Sequence, residues 1–151
     1  MKPYIAVGLF LALLTSCATS KSNVKAAWEM EKQVTHVRSA SGMSVQLMRW
    51  GPVEQQEALL FFSGFEHPWV EAGKPILHKV QACKYGQCYS TEVKGQPWTT
   101  LLLSEENAKL YLPFVEEDTP LNLSYVTGEE ETLKPEALAK MFEGQKLPAS
   151  P

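Results

Sequence analysis

The chain has 151 residues, of which 44% are hydrophobic, and its 14 basic and 17 acidic side chains give a formal net charge of −3. This length suits one domain with its own hydrophobic core. Proteins that bind nucleic acids neutralise phosphates with clustered lysine and arginine side chains. The sequence is mildly acidic and contains no block of basic residues, so its charge gives no reason to expect a nucleic-acid partner.

The N-terminus carries a positive charge at Lys2, followed by ten residues without charge, 5–14. At 1.5 Å per residue, ten helical residues cover about half of the ~30 Å hydrocarbon core of a bilayer, so they are too short to span it. A charged start, a short apolar stretch and small residues at its end are typical of a secretory signal peptide. We therefore predict a signal peptide at residues 1–16; the alternative is a buried N-terminal strand or helix.

The signal ends in LTSC at residues 14–17, which resembles the lipobox of bacterial lipoproteins, where an aliphatic and two small residues precede an invariant cysteine. The resemblance covers residues 1–17. It implies a diacylglyceryl group on Cys17, cleavage before it, and acylation of the new amino terminus, for instance with palmitate. Two or three acyl chains hold a protein at a membrane almost permanently. Ala18 implies, by the sorting rule of enterobacterial lipoproteins, an outer-membrane location facing the periplasm.

The mature chain is predicted to begin with a lipidated tether, residues 17–26, because residues 19–25 (TSKSNVK) are small and polar. A flexible segment of about nine residues has a root-mean-square reach of roughly 15–18 Å, so the domain stays close to the lipid. The rest of the chain divides into a single β-rich domain, residues 27–145, and a flexible tail, residues 146–151.

Short segments with strand character follow one another along this domain. Residues 44–50 (SVQLMRW) alternate Val45 and Leu47 with Ser44 and Gln46, which is the period of a half-buried strand. Further apolar or alternating segments, separated by polar turns, predict strands at residues 57–62, 76–83, 88–93, 98–103, 110–115 and 121–126.

Residues 28–38 predict either an additional strand or a helix. As a strand, the segment has one side with Trp28, Met30, Val34 and His36 and an opposite side with Glu29, Glu31, Gln33 and Thr35. About seven to eight short, mostly antiparallel strands in one domain are typical of a β-sandwich or a small barrel. We therefore predict an all-β fold of one of these two kinds.

One helix is predicted near the C-terminus. Pro135 suits the first helical position, and Gly144 suits the end of the helix. Leu138, Met141 and Phe142 recur at helical spacing and share one face. We expect this face to pack against the sheet or barrel.

The chain has three cysteines, and the lipobox resemblance assigns Cys17 to the lipid. Cys83 and Cys88 remain, and neighbouring cysteines outside the cytoplasm are expected to oxidise. They flank residues 84–87, a loop with a glycine that suits a hairpin, so their Cβ atoms can come close enough for a bond. The alternatives are half of a metal site or a redox-active pair, which usually has two intervening residues and a helix start. We predict a structural disulfide.

The candidate metal ligands are His36, His67 and His78, no two of which have the sequence spacing of paired ligands. Met43 and Met48 could join His36 in a soft copper site, but methionines at half-buried strand positions usually serve packing. We therefore predict no metal site and no other cofactor.

Catalytic groups are sparse in the sequence. Asp118 is the single aspartate, which weighs against both an aspartate-rich calcium loop and a Ser-His-Asp triad. No Gly-x-Ser-x-Gly motif occurs. Two glutamates could act as a glycosidase pair, but most glutamates lie in charged, turn-like runs. We therefore expect that the chain is not an enzyme.

Residues 63–75 (SGFEHPWVEAGKP) form the most unusual connection, because Phe65, His67 and Trp69 lie where loops are usually polar. Exposed rings beside Glu66 suit recognition of a peptide or a glycan by these three residues. The alternative is that Trp69 folds back and plugs one end of the sandwich or barrel.

These features predict a lipid-anchored envelope protein that acts as a non-catalytic binding, accessory or assembly module, for example in a secretion or other envelope complex. Its partners are the membrane, through the N-terminal lipid, and a protein or glycan in the envelope. One alternative is an enzyme that acts on peptidoglycan or another glycan. Another is a small inhibitor of an enzyme, for which a disulfide-braced β domain is well suited.

Replacement of the lipobox cysteine tests the anchor directly. Cys17→Ser should abolish acyl labelling and prevent processing, because the thiol that carries the diacylglyceryl group is lost. Intact mass spectrometry of the wild-type protein should show a mature chain that starts at an acylated Cys17. An unmodified Cys17, or a mature chain that starts elsewhere, contradicts the prediction.

Overall fold

The structure is a computed structural model that describes residues 33–116, 119–128 and 131–144. The predicted signal peptide, the predicted lipidation site Cys17, the predicted tether and the predicted tail after residue 145 lie outside the described residues. Within the described ranges, no helix combines the length and the hydrophobicity needed to cross a membrane.

The domain is an eight-stranded antiparallel barrel in which each strand pairs with its neighbour in sequence and the last strand pairs with the first. The all-β prediction is confirmed, and of the two architectures it allowed, the structure has the barrel. The strands are β1 (Thr35–Arg38), β2 (Ser44–Trp50), β3 (Glu57–Ser63), β4 (Ile76–Cys83), β5 (Gly86–Val93), β6 (Gln96–Leu103), β7 (Ala108–Leu110) and β8 (Leu121–Tyr125). A 3-10 turn (Val53–Gln55) and two helices, α1 (Pro68–Glu71) and α2 (Pro135–Glu143), complete the described elements.

Alternate side chains of the strands fill the interior of the barrel. On β2 these are Val45 and Leu47, as the alternation in the sequence predicts, and they pair directly with Phe62 and Leu60 on β3. An eight-stranded barrel is just wide enough to be filled by side chains. The interior core also contains Val37, Ala58, Val80, Tyr89, Leu101, Ala108, Leu110, Leu112 and Leu123.

The pairing of β5 with β6 contains an irregularity that affects the interior. Tyr89 pairs with Leu101, but the next residue, Ser90, pairs with Thr99, so Thr100 is an extra residue on β6. A bulge of this kind re-aims a side chain. Thr100 is fully buried, and its hydroxyl lies 2.8 Å from Nε2 of His78.

A second, smaller core lies outside the barrel, where α2 covers β2 and β3. Leu138 and Phe142 of α2 are buried against Met48 and Leu59, and the Phe142 ring meets the Trp50 ring edge-on at 5.3 Å. The predicted helix and its packing against the barrel are confirmed, with Pro135 as the first helical residue and Gly144 directly after the last.

The segment before α2 is bonded to the outer side of β1 and β2. Nε2 of His36 lies 2.6 Å from the Ser44 hydroxyl, and Nδ1 lies 3.2 Å from the Thr132 hydroxyl. The Gln46 side chain accepts a hydrogen bond from the backbone N–H of Leu133 at 2.6 Å. Residues 131–134, which we call the strap, therefore bury the polar outer residues of β2, which the sequence pattern alone would leave in solvent.

The predicted strand at residues 110–115 is wrong. The strand there, β7, ends at Leu110, and the chain leaves the sheet before Pro113, whose ring nitrogen has no proton to donate. Phe114 has a φ of +66°, which is incompatible with a strand. These apolar residues instead belong to a connection at the end of the barrel.

The Cys83–Cys88 disulfide is confirmed, with a Cα–Cα distance of 5.9 Å. The hairpin is tighter than the predicted four-residue loop, because Cys83 pairs directly with Gly86 and only two residues connect the strands. Cys88 pairs with Gln81, so the bond crosses the hairpin diagonally. Gly86 is required by packing, since a Cβ there would lie 1.9 Å from the carbonyl oxygen of Leu103.

Removal of the disulfide should lower stability without changing the fold. Chain-entropy estimates for so short a loop give about 2 kcal/mol, and the double variant Cys83→Ala/Cys88→Ala should lose roughly that amount in urea unfolding. The wild-type protein unfolded with a reductant is the matched control and should behave like the variant. Equal stability of the oxidised protein and the variant, or free thiols in protein from the envelope, contradicts this expectation.

Candidate functional site

Four connections meet at one end of the barrel, because consecutive antiparallel strands place alternate connections at the same end. We call this end, formed by residues 39–43, 64–75, 94–95 and the described part of 111–120, the upper end. The opposite, lower end carries the remaining connections and the start of β1.

The connection 64–75, predicted from its aromatic residues, folds tightly onto the upper end. Gly64 has a φ of +81°, and a Cβ there would lie 2.2 Å from the carbonyl oxygen of Gly42, so the two connections touch through backbone. His67 precedes α1, and its Nδ1 accepts a hydrogen bond from the backbone N–H of Trp69 at 3.2 Å. Nε2 of His67 therefore carries the proton and donates to the Pro113 carbonyl at 2.7 Å.

The ring of Trp69 points into the barrel. Its centroid lies 5.2 Å from the Phe62 ring and 6.1 Å from the His78 ring, and Phe65 also packs against the interior core. His67 is only 4% exposed. These contacts favour the plug among the two alternatives for this connection, while partner recognition by Phe65, His67 and Trp69 stays a prediction.

His78 lies inside the barrel and is 1% exposed. Its Nδ1–H donates to the Ile76 carbonyl at 3.0 Å, which leaves Nε2 to accept from the Thr100 hydroxyl. Burial disfavours the charged ring and lowers the pKa of His78 to about 4, although the hydrogen bond to Ile76 opposes this shift. His78 is therefore neutral at physiological pH and serves the packing of the interior.

His36 and Ser44 form a histidine–serine contact of the kind that activates a nucleophile. The pair is 5% and 8% exposed, and the other ring nitrogen contacts Thr132, where a triad has a carboxylate. Burial and the nearby charge of Arg38 lower the pKa of His36, and Arg38 itself forms an ion pair with Glu131 of the strap. This arrangement attaches the strap to the barrel.

The candidate metal ligands lie in three different parts of the molecule. His36 lies beneath the strap, His67 in the upper end and His78 in the interior. Met43 packs against the interior core and Met48 against α2, so the structure does not assemble the copper site considered above. No group of three or more histidine, cysteine, aspartate or glutamate side chains suited to a metal occurs within the described ranges.

A cleft opens at the upper end beside the aromatic plug. Its volume is about 280 Å³, and its walls are mainly apolar. Leu110 and Leu112, which also belong to the interior core, form part of its lining. The other lining residues are Met43, Trp98, Tyr111, Val115, Glu116, Thr119 and Leu121.

Two large apolar residues that follow one another in sequence are exposed here, and we call Phe114 and Val115 the rim. Val115, which lines the cleft, is 45% exposed, and Phe114, directly before it, is 54% exposed. The Phe114 ring stacks on the His67 ring at 6.2 Å, and the Lys94 ammonium lies 5.3 Å from its centroid. Both rim residues lie in the segment predicted as a strand, so neither was predicted as a candidate site residue. Pro113 within the apolar run was the signal that this segment leaves the sheet.

A more polar opening of about 440 Å³ lies at the lower end. Arg49 donates to the side chain of Gln87 at 3.0 Å, and the Tyr89 hydroxyl donates to the same oxygen at 3.3 Å. Burial raises the pKa of Tyr89, although Arg49 opposes this shift, and burial also raises the pKa of Tyr125. The two tyrosines therefore remain protonated hydrogen-bonding groups well above neutral pH.

Comparison with protein-family models, with curated proteins and with solved structures finds no match for this chain.

The buried His78 should make stability depend on pH. The unfolded chain binds a proton near the ordinary pKa of 6.5, whereas the folded protein keeps the ring neutral down to about 4. The unfolded state thus binds more protons in this window, so stability is present above pH 6.5 and is lost as the pH falls towards 4. With one pKa unit worth about 1.4 kcal/mol, His78 should account for a loss of about 3 kcal/mol in urea unfolding.

The matched variant is His78→Leu/Thr100→Val, which replaces the hydrogen-bonded pair by apolar groups of similar size. Its free energy of unfolding should fall much less between pH 6.5 and 4. The remaining slope includes His36, whose pKa is lowered in the same direction. A slope equal to that of the wild-type protein would refute the assignment to His78.

Proposed function

We propose that this chain is a lipid-anchored envelope protein that works by binding, as a non-catalytic accessory or assembly module of an envelope complex. The observation that carries the proposal is the upper end, where Phe114 and Val115 are exposed beside an open apolar cleft. Solvent-exposed large apolar side chains grouped around a concavity are a mark of protein interaction sites.

The contacts of the three histidines favour a binding function over catalysis. Both ring nitrogens of His36, His67 and His78 contact other groups of the fold, and each of these residues is at most 5% exposed. A general acid or base must instead come within hydrogen-bond reach of a substrate.

The path of the chain supports a membrane-anchored presentation of the upper end. β1 begins at the lower end and runs towards the upper end. With an anchor on the N-terminal side of β1, the domain can present the upper end, which lies at the far end of that strand, to a partner.

Site-specific photocrosslinking in cells tests this proposal. The photoreactive amino acid benzoylphenylalanine replaces Phe114 in the lipidated protein, and Tyr85 at the lower end is the matched control, since its ring is 69% exposed. Irradiation should give a discrete adduct from position 114 and little from position 85. Cys17→Ser should reduce the adduct several-fold, because the unanchored protein no longer collects at the membrane.

Adducts of equal yield from both positions, or none from position 114, would reject the upper end as the working surface. Incubation of the purified protein with peptidoglycan sacculi tests the alternative that the chain is an enzyme acting on peptidoglycan. Release of soluble fragments above the level of a heat-denatured sample would replace the proposal by that alternative.

A further inference from the structure

We infer that the cleft and its rim bind a protein segment in which an apolar anchor side chain is flanked by lysine or arginine. This inference rests on the proposed binding function and specifies the partner. It follows from the size of the cleft, the residues at its rim and the charges around it.

The size of the cleft suits anchoring side chains. Pockets that enclose drug-sized molecules or cofactors usually measure about 300–1,000 Å³, and this cleft, at about 280 Å³, lies just below that range. Its fully buried Leu110 and the neighbouring Leu112 offer an apolar floor continuous with the barrel interior. One or two apolar side chains inserted there would lose contact with water, which is the arrangement of an interface hot spot.

One of the two rim residues has an unfavourable backbone conformation. Phe114 has a φ of +66°, in the left-handed region, where a bulky side chain is uncommon and glycine is favoured. Despite this, an aromatic ring is present, more than half exposed, and held by the His67 ring and the Lys94 ammonium. An exposed ring at a strained position, lying beside an apolar cleft, is a feature expected of a binding anchor.

The charges at the upper end favour a basic partner. Glu116 is the charged side chain among the residues lining the cleft. Lys94, whose ammonium lies 5.3 Å from the centroid of the Phe114 ring, is not among these lining residues. The exposed charged residues on the described upper-end connections are Glu66, Glu71 and Glu116 against Lys74 and Lys94. Glu116 in the lining, together with an excess of one acidic group over the basic ones, complements lysine or arginine next to the anchor.

The probe is a library of random twelve-residue peptides displayed on phage and panned on the full mature chain in lipid nanodiscs. Enriched peptides should carry one or two large apolar residues and an excess of lysine and arginine. A synthetic peptide with the consensus should bind wild-type protein on the order of thirtyfold tighter than Phe114→Gly, which removes the anchor ring and relieves the positive φ. The matched control Tyr85→Ala should bind like the wild type.

Two further variants test the space in the cleft and its charge separately. Thr119→Trp places a bulky ring in the cleft and should weaken binding, while Glu116→Lys should shift the enriched sequences towards aspartate and glutamate. Thermal melts check the folding of each variant, and Phe114→Gly should melt no lower than the wild type, since glycine suits the conformation. A folded Phe114→Gly that binds the consensus peptide normally would overturn the inference.

Several other results would also contradict the inference. No enrichment, enrichment without an apolar residue, or enrichment of acidic peptides overturns the inference. So does displacement of the consensus peptide by a dansylated fatty acid at equal concentration, which would assign the cleft to lipid. A wild-type protein that dimerises while Phe114→Gly stays monomeric would assign it to a second copy of the chain. Crosslinking from position 114 in cells can succeed in any of these cases, so the broader proposed function is judged separately.

Discussion

Pairing between β1 and β8 closes the sheet into a barrel, and the positions of the core, the connections and the helix follow from that closure. The seam is short: Val37 pairs with Tyr125 and Arg38 with Ser124, and the backbone N–H of Val126 donates to the His36 carbonyl at 2.9 Å. Closure leaves no free sheet edge, turns alternate side chains of every strand into one shared interior, and gathers alternate connections at each end. The upper end exists as a surface because of this arrangement.

The strap and α2 reinforce this seam from outside. After β8 the chain crosses back over β1 and β2, where His36 and Gln46 bond to it and α2 buries Met48 and Leu59. The C-terminal segment thus connects the first strands of the barrel to the last strand a second time. The histidine–serine contact, which resembles part of a catalytic arrangement, is explained by this attachment.

The sequence pattern predicted which residues face the interior where apolar and polar residues alternate regularly, as at Val45 and Leu47. It could not show that Ser44 and Gln46 on the other face would be buried, because the covering strap lies about ninety residues away in sequence. The same cover accounts for the side shared by Val34 and His36: Val34 packs with the α2 cluster and His36 lies beneath the strap, while Val37 faces the interior.

The ends of the barrel were harder to predict than its wall. An apolar run such as residues 110–115 predicts a strand if the apolar residues of an all-β domain are expected to lie in strands. A filled barrel, however, also needs apolar residues in the connections that cover its ends. Phe65 and Trp69 were singled out because their connection is otherwise polar. Phe114, in an apolar segment, was not, and its exposure depends on a backbone conformation that no sequence pattern indicated.

The up-and-down order of the strands also has a consequence for how the molecule forms. Every pairing except that of β1 with β8 joins neighbours in sequence, so most of the sheet can assemble hairpin by hairpin, with low loop-closure entropy. Among the strand pairings, the seam alone must bring together segments from opposite ends of the described chain. Its few backbone pairs are therefore a natural place for partial opening in the native state, where amide protons exchange with solvent before those of the central hairpins.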